Sequence, residues 1–354
     1  MTHTIYYTRC PVATASGLAY QRGSFGEAFA GTGYEVRNLK ELGRGKAGTH
    51  FTHKIPNSIR EGGAIPPLWA RVRGADTVVI GLTFTPECLS FYVRPGEGEG
   101  GFAGLRGRRL GLPRRPQLEV DFMRVNAHKA FSGALAEHGM SASDVEFTDV
   151  VIDEDVLAIA NVDYGQGSER KVPPLYAGEI EALLRGEADC VFAKNAETKY
   201  LEQVYGDRIE KVYDLLDCAH VEHKINANPR IITASGELAR EHPDAVVNYL
   251  RVLVRTAAWA SDHPREAAET MAVELGVQTE DIVASYEAAF HTQLWPTLSQ
   301  EMRALLQNQI EFMVKHDYLP PGVSLDGWAQ EDLLRRAYEL EGIDYAGKAL
   351  PWAA

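Results

Sequence analysis

The first two thirds of the chain show short strand-like segments between stretches of helical character. Thr4–Thr8 alternates and is rich in β-branched and aromatic residues, whereas Thr77–Phe84 is an almost continuous apolar run, as expected of a buried strand. Helices are predicted near Ser16–Ala30, Ala127–His138 and Tyr176–Arg185. Further strands are predicted at Tyr34–Asn38, Ser90–Val93, Val145–Val151, Ala188–Ala193, Lys211–Leu216 and Arg230–Ala234. This alternation predicts an α/β fold.

The last third of the chain is dominated by amphipathic helices, because its apolar residues recur every three or four positions. These helices are predicted at Pro243–Asp262, Pro264–Glu274, Thr279–His291 and Ser299–His316. A linker-like run, Arg94–Gly101, precedes a new α/β unit that begins at Leu105–Leu112. We therefore expect two lobes: lobe one from residues 1–98 and 218–354, and lobe two from residues 99–217.

This organisation resembles that of type II periplasmic binding proteins, in which a discontinuous first lobe encloses a continuous second one. Phe102–Gly111 resembles the segment that opens their second lobe, and Glu241–Val247 and His263–Ala267 resemble parts of their C-terminal helices. The resemblance implies a two-lobed α/β fold with a central cleft. It carries no chemistry by itself, because one fold hosts many functions.

The composition limits the partners of the protein. The chain has 354 residues, ample for two lobes, and a net charge of -13, which argues against binding nucleic acid. No apolar run is long enough to span a bilayer, and the first residues lack a secretory signal, so we expect a cytoplasmic protein without membrane partners. Five arginines cluster between Arg106 and Arg115, either on a solvated surface or on a lip that attracts an anionic substrate.

The cysteines predict reactive chemistry at one position. Cys10, Cys88, Cys190 and Cys218 are widely spaced, without a CxxC pair or a zinc-like pattern, and are expected to be free thiols. Cys10 directly follows the first strand, a position that faces the crevice in open α/β sheets. The other three are expected to be structural.

Two further segments could meet Cys10 in the cleft. The first, Thr49–Thr52, contains His50, which could share a proton with a nearby thiol. The second contains Arg60, Gly62 and Gly63 and leads through Pro66 into a predicted helix. An arginine fork pairs with two oxygens of a sulfinate or carboxylate, and a glycine N–H adds an unobstructed donor.

These segments, taken together, resemble the 2'-hydroxybiphenyl-2-sulfinate desulfinase family along nearly the whole chain. The likeness includes the strand before Cys10-Pro-Val, a Gly-Thr-His-Phe-Thr segment one residue shorter than in the family, the string Gly-Gly-Ala-Ile-Pro-Pro-Leu that begins at Gly62, and Leu325–Trp328. It also includes the ten-residue spacing from His50 to Arg60. The resemblance implies that Cys10, His50 and Arg60 are catalytic and that the Gly63 N–H meets the sulfinate. His53 is the rival histidine, and Arg9 is interpreted as structural.

The predicted lobe-two wall of the cleft departs from the family pattern. Phe51 is kept, but the segment with Arg124, Asn126, His128 and Lys129 is polar and basic. Lys194 and Asn195 stand where the family has aromatic residues. We expect these side chains, with Gly62 and Gly63, to bind an aromatic substrate that is more polar than biphenyl, unless they face solvent.

The sequence therefore predicts a desulfinase, a hydrolase of carbon–sulfur bonds that releases sulfite from an organic sulfinate. Cys10 would either protonate the carbon or attack the sulfur. A decarboxylase on the same scaffold and a non-catalytic sulfonate-binding protein are the alternatives. No phosphate loop, dinucleotide fingerprint or metal-ligand spacing is found, so no cofactor or metal is expected. The partner is expected to be a small anionic organic molecule, and the protein a monomer or weak dimer.

Overall fold

The computed structural model describes residues 2–42, 49–153 and 173–346 of the chain. The strands of this part are β1 (His3–Arg9), β2 (Tyr34–Asn38), β3 (Ser58–Gly62), β4 (Thr77–Thr83), β5 (Leu89–Val93), β6 (Arg109–Arg114), β7 (Glu146–Val151), β8 (Val191–Lys194), β9 (Glu210–Asp214) and β10 (Arg230–Ser235). The first helices are α1 (Ala15–Gln21), α2 (Ser24–Phe29), α3 (Thr49–Thr52), α4 (Ile65–Val72), α5 (Phe122–Glu137), α6 (Ala177–Leu184) and α7 (Glu197–Tyr205). The C-terminal helices are α8 (Gly236–Glu241), α9 (Pro243–Asp262), α10 (Pro264–Leu275), α11 (Thr279–Ser285), α12 (Gln300–Lys315) and α13 (Glu331–Glu341).

A five-stranded sheet in the order β2-β1-β3-β10-β4 forms the centre of the first lobe. β1 is parallel to β2 and β3, whereas β10 runs antiparallel between β3 and β4. The carboxyl ends of β1, β3 and β4 therefore meet the start of β10 at one edge. This edge brings Cys10, Gly63 and Arg230 together, although they are far apart in the sequence.

The second lobe is built on smaller sheets, in the orders β8-β5-β9 and β6-β7. β5 is antiparallel to both of its neighbours, and β6 is parallel to β7. Phe91 of β5 packs in this lobe's core with Phe102, Phe131 and Phe192. Residues 89–98 were expected in lobe one, but Leu89–Val93 pairs with β8 and β9 in the three-stranded sheet of the second lobe. The chain would therefore pass from the first lobe to the second before β5 rather than after it. With this change, the expected division into lobes stays a proposal.

The helices agree with the sequence prediction best where the apolar period is long. Helix α9 has the predicted bounds, Pro243–Asp262, and packs against α1 and α13 over the first lobe's core. The predicted helix Ser16–Ala30 is two helices, because Gly23 has a φ of 72° between them. The predicted helix Thr279–His291 ends at Ser285. No helix in the described ranges is both long and apolar enough to cross a membrane.

Strand β3 was not predicted, since its sequence, Ser-Ile-Arg-Glu-Gly, carries two charges and a glycine. The structure nevertheless buries all five residues between β1 and β10. Its two charged side chains have partners that only the fold provides. Ser16 and Thr83 donate hydrogen bonds to the carboxylate of Glu61. Arg60 is the centre of the site described next.

Candidate active site

Cys10 directly follows β1, at the end of the five-stranded sheet where the parallel strands have their carboxyl termini. Its backbone N–H donates a hydrogen bond to the Glu61 carbonyl at 3.0 Å, which continues the pairing of β1 with β3 by one residue. Pro11 then turns the chain toward helix α1, whose first turn is capped by the Thr14 side chain. The half-buried thiol therefore stays at the surface of a cavity rather than inside the core.

His50 lies on the one-turn helix α3 and is the histidine that meets the thiol. Its Nε2 is 3.3 Å from Cys10 Sγ, and its Nδ1 is 2.9 Å from Thr8 Oγ1. The threonine hydroxyl can donate or accept, so it supports either tautomer of the ring. Because both ring nitrogens have partners, the ring is fixed in an orientation that lets a proton pass between Sγ and Nε2.

Arg60 completes the cluster from strand β3. Its Nε donates to the His50 carbonyl at 2.8 Å, while Nη2 lies 3.6 Å from Cys10 Sγ and 3.5 Å from His50 Nε2. The side chain is buried, and that burial lowers the pKa of its guanidinium. Its Nη1 has no hydrogen-bond partner among the described residues. One guanidinium thus holds the His50 backbone and approaches Cys10, while Arg60 itself is not among the residues that line the cavity.

Two glycines make room around the sulfur. A Cβ at Gly62 would lie 2.4 Å from Cys10 Sγ and 3.1 Å from Arg60 Nη2. A Cβ at Gly63 would lie 2.8 Å from the Cβ of Ala227. Gly63 lines the cavity and Gly62 lies behind the thiol, so the thiol and the arginine can approach each other only because Gly62 has no side chain.

The cavity beside Cys10 has walls from both lobes. Its lining is mainly apolar and aromatic. Phe51 and Phe122 are stacked with centroids 5.2 Å apart, and the His50 ring meets Phe51 edge-on at 4.7 Å. Met123, Leu175 and Tyr176 add further apolar surface from the second lobe. Such a wall suits an aromatic ring.

The expectation of a polar lobe-two wall is partly wrong. Arg124 lies outside the cavity lining, where its Nη1 pairs with Asp149 Oδ1 at 2.8 Å. His128 and Lys129 also lie outside it and contact Tyr318 and Asn308. The reason is helical geometry: α5 begins at Phe122, and a turn of 3.6 residues directs residues 122, 123 and 126 into the cavity but rotates residue 124 away.

Asn126, Lys194 and Asn195 line the cavity, and their expected contact with substrate stays a prediction. Lys194 Nζ is 2.8 Å from Glu87 Oε1, so its charge is held by a buried carboxylate. Asn195 adopts a φ of 54°, and its side-chain oxygen accepts from the N–H of Glu197, the first residue of helix α7. The Oδ1 of Asn126 has no hydrogen-bond partner in the described parts of the chain.

Sequence reasoning missed Phe122, Tyr176 and Arg230, which also line the cavity. Arg230 is buried and pairs with Glu87 Oε2 at 2.9 Å. A single arginine at the start of the apolar strand Ile231–Ala234 was a signal that could have been used. Phe122 was missed because the helix start was placed five residues too late, although Asp121 is a good N-cap residue.

The rival residues have other partners. His53 has its Nε2 3.2 Å from Thr233 Oγ1, and burial together with Arg60 lowers its pKa to about 3. Arg9 lines the cavity but forms a buried ion pair with Glu274. Cys88 and Cys190 are buried, which raises the pKa of both thiols, and burial raises that of Cys218 to about 11.

One group with metal-ligand spacing occurs in the described ranges, outside the cavity lining. The ligand atoms of Glu137, Cys218 and His223 lie within 4.8 Å of one another. In the structure, Glu137 Oε1 is 2.7 Å from His220 Nδ1 and 2.5 Å from His223 Nδ1. These two contacts give the Glu137 carboxylate hydrogen-bond partners without a metal ion.

Comparisons with known proteins were made for the sequence and for the fold. No family model matches the chain. It is 27% identical over 359 residues to 2'-hydroxybiphenyl-2-sulfinate desulfinase from Rhodococcus erythropolis, covering 94% of this chain and 93% of the relative, and the same values hold for the enzyme from Rhodococcus qingshengii.

Solved structures with a similar fold include the same enzyme and a sulphonate-binding protein. A Cys→Ser mutant of DszB, solved in complex with biphenyl-2-sulfinic acid, matches with a TM-score of 0.72 and 22% identity over 96% of this chain and all of that one. The periplasmic aliphatic sulphonate-binding protein SsuA from Escherichia coli matches with a TM-score of 0.62 and 14% identity, over 94% of this chain and 93% of its own. Along nearly its whole length, the chain is thus related to 2'-hydroxybiphenyl-2-sulfinate desulfinase and has the two-lobed, type II periplasmic-binding-protein-like fold predicted from its sequence.

Proposed function

We propose that the protein is a cofactor-free desulfinase that cleaves the carbon–sulfur bond of an aromatic sulfinate and releases sulfite. One observation carries this proposal: beside a single cavity, Cys10 Sγ lies 3.3 Å from His50 Nε2 and 3.6 Å from Arg60 Nη2. A thiol next to a histidine exchanges its proton, and an arginine fork binds a two-oxygen anion. The related desulfinase, named for 2'-hydroxybiphenyl-2-sulfinate, supports the same reaction.

The reaction needs only water. An arenesulfinate and water give the arene and hydrogensulfite: ArSO2⁻ + H2O → ArH + HSO3⁻. When the Cys10 thiol gives its proton to the ring carbon, the electron pair of the carbon–sulfur bond becomes that of the new carbon–hydrogen bond, and sulfur dioxide leaves. Water converts the sulfur dioxide to hydrogensulfite and a proton, which returns to the Cys10 thiolate through His50.

A second route uses the same atoms. The Cys10 thiolate attacks the sulfur, protonated His50 supplies the proton to the departing carbon, and water then releases hydrogensulfite from the S-sulfinated cysteine. The two routes differ in one observable, since only the second forms a covalent Cys10 intermediate that mass spectrometry of the stopped reaction detects.

We assign a binding role to each group from its position relative to Cys10 and the cavity. The Nη1 of Arg60, which has no partner among the described residues, and the N–H of Gly63 are the donors we assign to the sulfinate oxygens. The stacked pair of Phe51 and Phe122 forms one apolar wall for the ring. The substrate is therefore aromatic, and the walls around the ring are less polar than the sequence alone indicated.

The expected product distinguishes the desulfinase from its two alternatives. With arenesulfinates, the protein is expected to release sulfite and one arene per turnover; with the matching arenecarboxylates, it is expected to release no carbon dioxide. Sulfite is measured colorimetrically and the arene by liquid chromatography. Carbon dioxide without sulfite would identify a decarboxylase. Tight binding of both anion classes without any product would identify a binding protein.

The space at Gly62 yields a second prediction. Gly62→Ala is expected to reduce kcat by at least ~10²-fold, because its Cβ, 2.4 Å from Sγ, displaces the thiol from His50. Gly26→Ala is the matched control, since helix α2 has open space at that position. Sulfite release and thermal unfolding are measured for both variants. Unchanged kcat in a folded Gly62→Ala protein contradicts the assigned role of the thiol.

Other expectations stay predictions beside this proposal. The balanced equation makes the enzyme a hydrolase of carbon–sulfur bonds. We keep the cytoplasmic location and the monomeric or weakly dimeric state as expected from the sequence.

A further inference from the structure

A charged group away from Cys10 is built from both lobes and contributes two cations to the cavity wall. Glu87 lies between two cations: its Oε1 is 2.8 Å from Lys194 Nζ and its Oε2 is 2.9 Å from Arg230 Nη2. All three side chains are nearly inaccessible to solvent, and Lys194 and Arg230 line the cavity. Lys194 Nζ also donates to Asn226 Oδ1 at 3.3 Å, and Asn226 in turn donates to the Asn126 carbonyl at 2.6 Å.

The charges of this group do not balance. Glu87 supplies one negative charge to two positive ones, and its two cations hold its pKa below the usual value, so that it stays ionised. Glu61 also interacts with Arg230 electrostatically, but its carboxylate accepts hydrogen bonds from Ser16 and Thr83. The third cation in the cavity lining, Arg9, pairs with Glu274, and Arg60, behind Cys10, is the residue we assign to the sulfinate. Within the Glu87 group, two buried cations therefore share one carboxylate, and a bound anion would supply the second counterion.

The same group also contains a hydrogen-bond donor without an acceptor. The Nη1 of Arg230 has no hydrogen-bond partner among the described residues, although the side chain is 1% exposed. A buried polar atom without a partner calls for an explanation, and one in a cavity wall can be satisfied by a ligand atom. Asn126 has the same feature at its side-chain oxygen. A turn of this amide by 180° would present its nitrogen as a second donor.

The distance to Cys10 separates this group from the sulfinate position. β1, β3 and β10 are consecutive in the sheet, so the backbones of Cys10 and Arg230 are two strand spacings, or roughly 10 Å, apart. The Arg230 side chain extends to Glu87, which follows β4, the next strand outward. A group bound there therefore belongs to another part of the substrate, one or two rings from the sulfur.

From the surplus charge, the unpartnered donor and this spacing, we propose that the substrate is an aromatic sulfinate with a second anionic group, a carboxylate, which Arg230 and Lys194 bind. The inference rests on the proposed desulfinase function. It adds a substrate class that differs from the hydroxylated biaryl named for the related enzyme. The sulfinate is the reacting group, whereas the carboxylate fixes the orientation of the ring.

The test compares biphenyl-2-sulfinate with derivatives that carry a carboxylate, or a hydroxyl, at each position of the second ring. For the best carboxylated isomer, we expect kcat/KM for sulfite release to exceed that of the unsubstituted compound by at least ten-fold. Lys194→Met and Arg230→Met each leave a one-to-one pair with Glu87, so each removes the surplus charge without leaving the carboxylate unpaired. Both are expected to reduce this ratio to about one.

Lys129→Met is the matched control, since Lys129 is a largely buried lysine of the second lobe outside the cavity lining, and it should keep the wild-type ratio. The same ratio is also measured as Kd by calorimetry in the Cys10→Ser background, where no turnover is needed. The inference is overturned if no carboxylated isomer is preferred, if a hydroxylated isomer is preferred over all of them, or if both folded variants keep the preference. If no sulfinate is turned over, the proposed function fails, and the Kd ratio still decides the inference.

Discussion

Cys10→Ser is expected to lower kcat for sulfite release by at least ~10³-fold while the fold and substrate binding are kept. General acid catalysis contributes ~10²–10⁴-fold, and a serine hydroxyl is a far weaker acid than a thiol. The same replacement removes the nucleophile of the second route, so both routes predict the loss. Oxygen fits the position, because serine is slightly smaller than cysteine and the 3.3 Å contact with His50 Nε2 can shorten.

The measurement separates chemistry from binding. Single-turnover sulfite release gives the chemical step, and calorimetry with an arenesulfinate gives Kd, which is expected to change less than about three-fold. Cys218→Ser is the control, since that buried thiol donates to the His220 carbonyl, a contact that serine can keep. The role of Cys10 is refuted if the folded variant retains more than about a tenth of the wild-type kcat.

The part of the site nearest the thiol was predictable because a local signal at Cys10 was combined with the family resemblance of the His50 and Arg60 segments. Cys10 ends a strand and is followed by proline, a pattern that places a side chain at the sheet edge. His50 was favoured over His53 by its spacing to Arg60, and the structure brings His50, rather than His53, to the thiol. Helix α9 was also predictable, since twenty residues of regular apolar period leave little freedom.

The remaining features depend on long-range partners that no local pattern contains. Strand β3 looks unfavourable as a sequence, because Arg60 and Glu61 would be costly to bury alone. Their partners, the His50 carbonyl for Arg60 and Ser16 and Thr83 for Glu61, come from separate segments. Arg230 was missed for the same reason, since its buried charge is explained only by Glu87.

The lobe-two wall shows a different difficulty. An error of five residues in the start of α5 changed which residues were assigned to the cavity, since each residue turns the helix by about 100°. Phe122 and Met123 then replace Arg124 in the wall, and an aromatic pocket replaces a polar one. Element boundaries thus matter more for substrate prediction than for fold prediction.

Arg60→Lys is expected to reduce kcat/KM by at least ~10²-fold although it keeps the charge. The arginine makes separate use of its nitrogens: Nε holds the His50 carbonyl at 2.8 Å, and Nη2 lies 3.6 Å from Cys10 Sγ, which leaves Nη1 for the sulfinate. A lysine has one ammonium and cannot reach these three positions at once. Part of the loss is expected in KM, from the anion, and part in kcat, from a less fixed His50.

The control for Arg60→Lys is another arginine with several backbone contacts. Arg94 Nη1 donates to the carbonyls of Leu183 and Ala188, both at 2.8 Å, and lies outside the cavity lining. Arg94→Lys should therefore lower the unfolding temperature without changing kcat/KM, whereas Arg60→Lys should change both. Steady-state sulfite release and thermal unfolding are measured together. If Arg60→Lys loses stability but keeps kcat/KM, the arginine only holds the His50 backbone and the anion is bound elsewhere in the cavity, for which the Arg230 group is the remaining candidate.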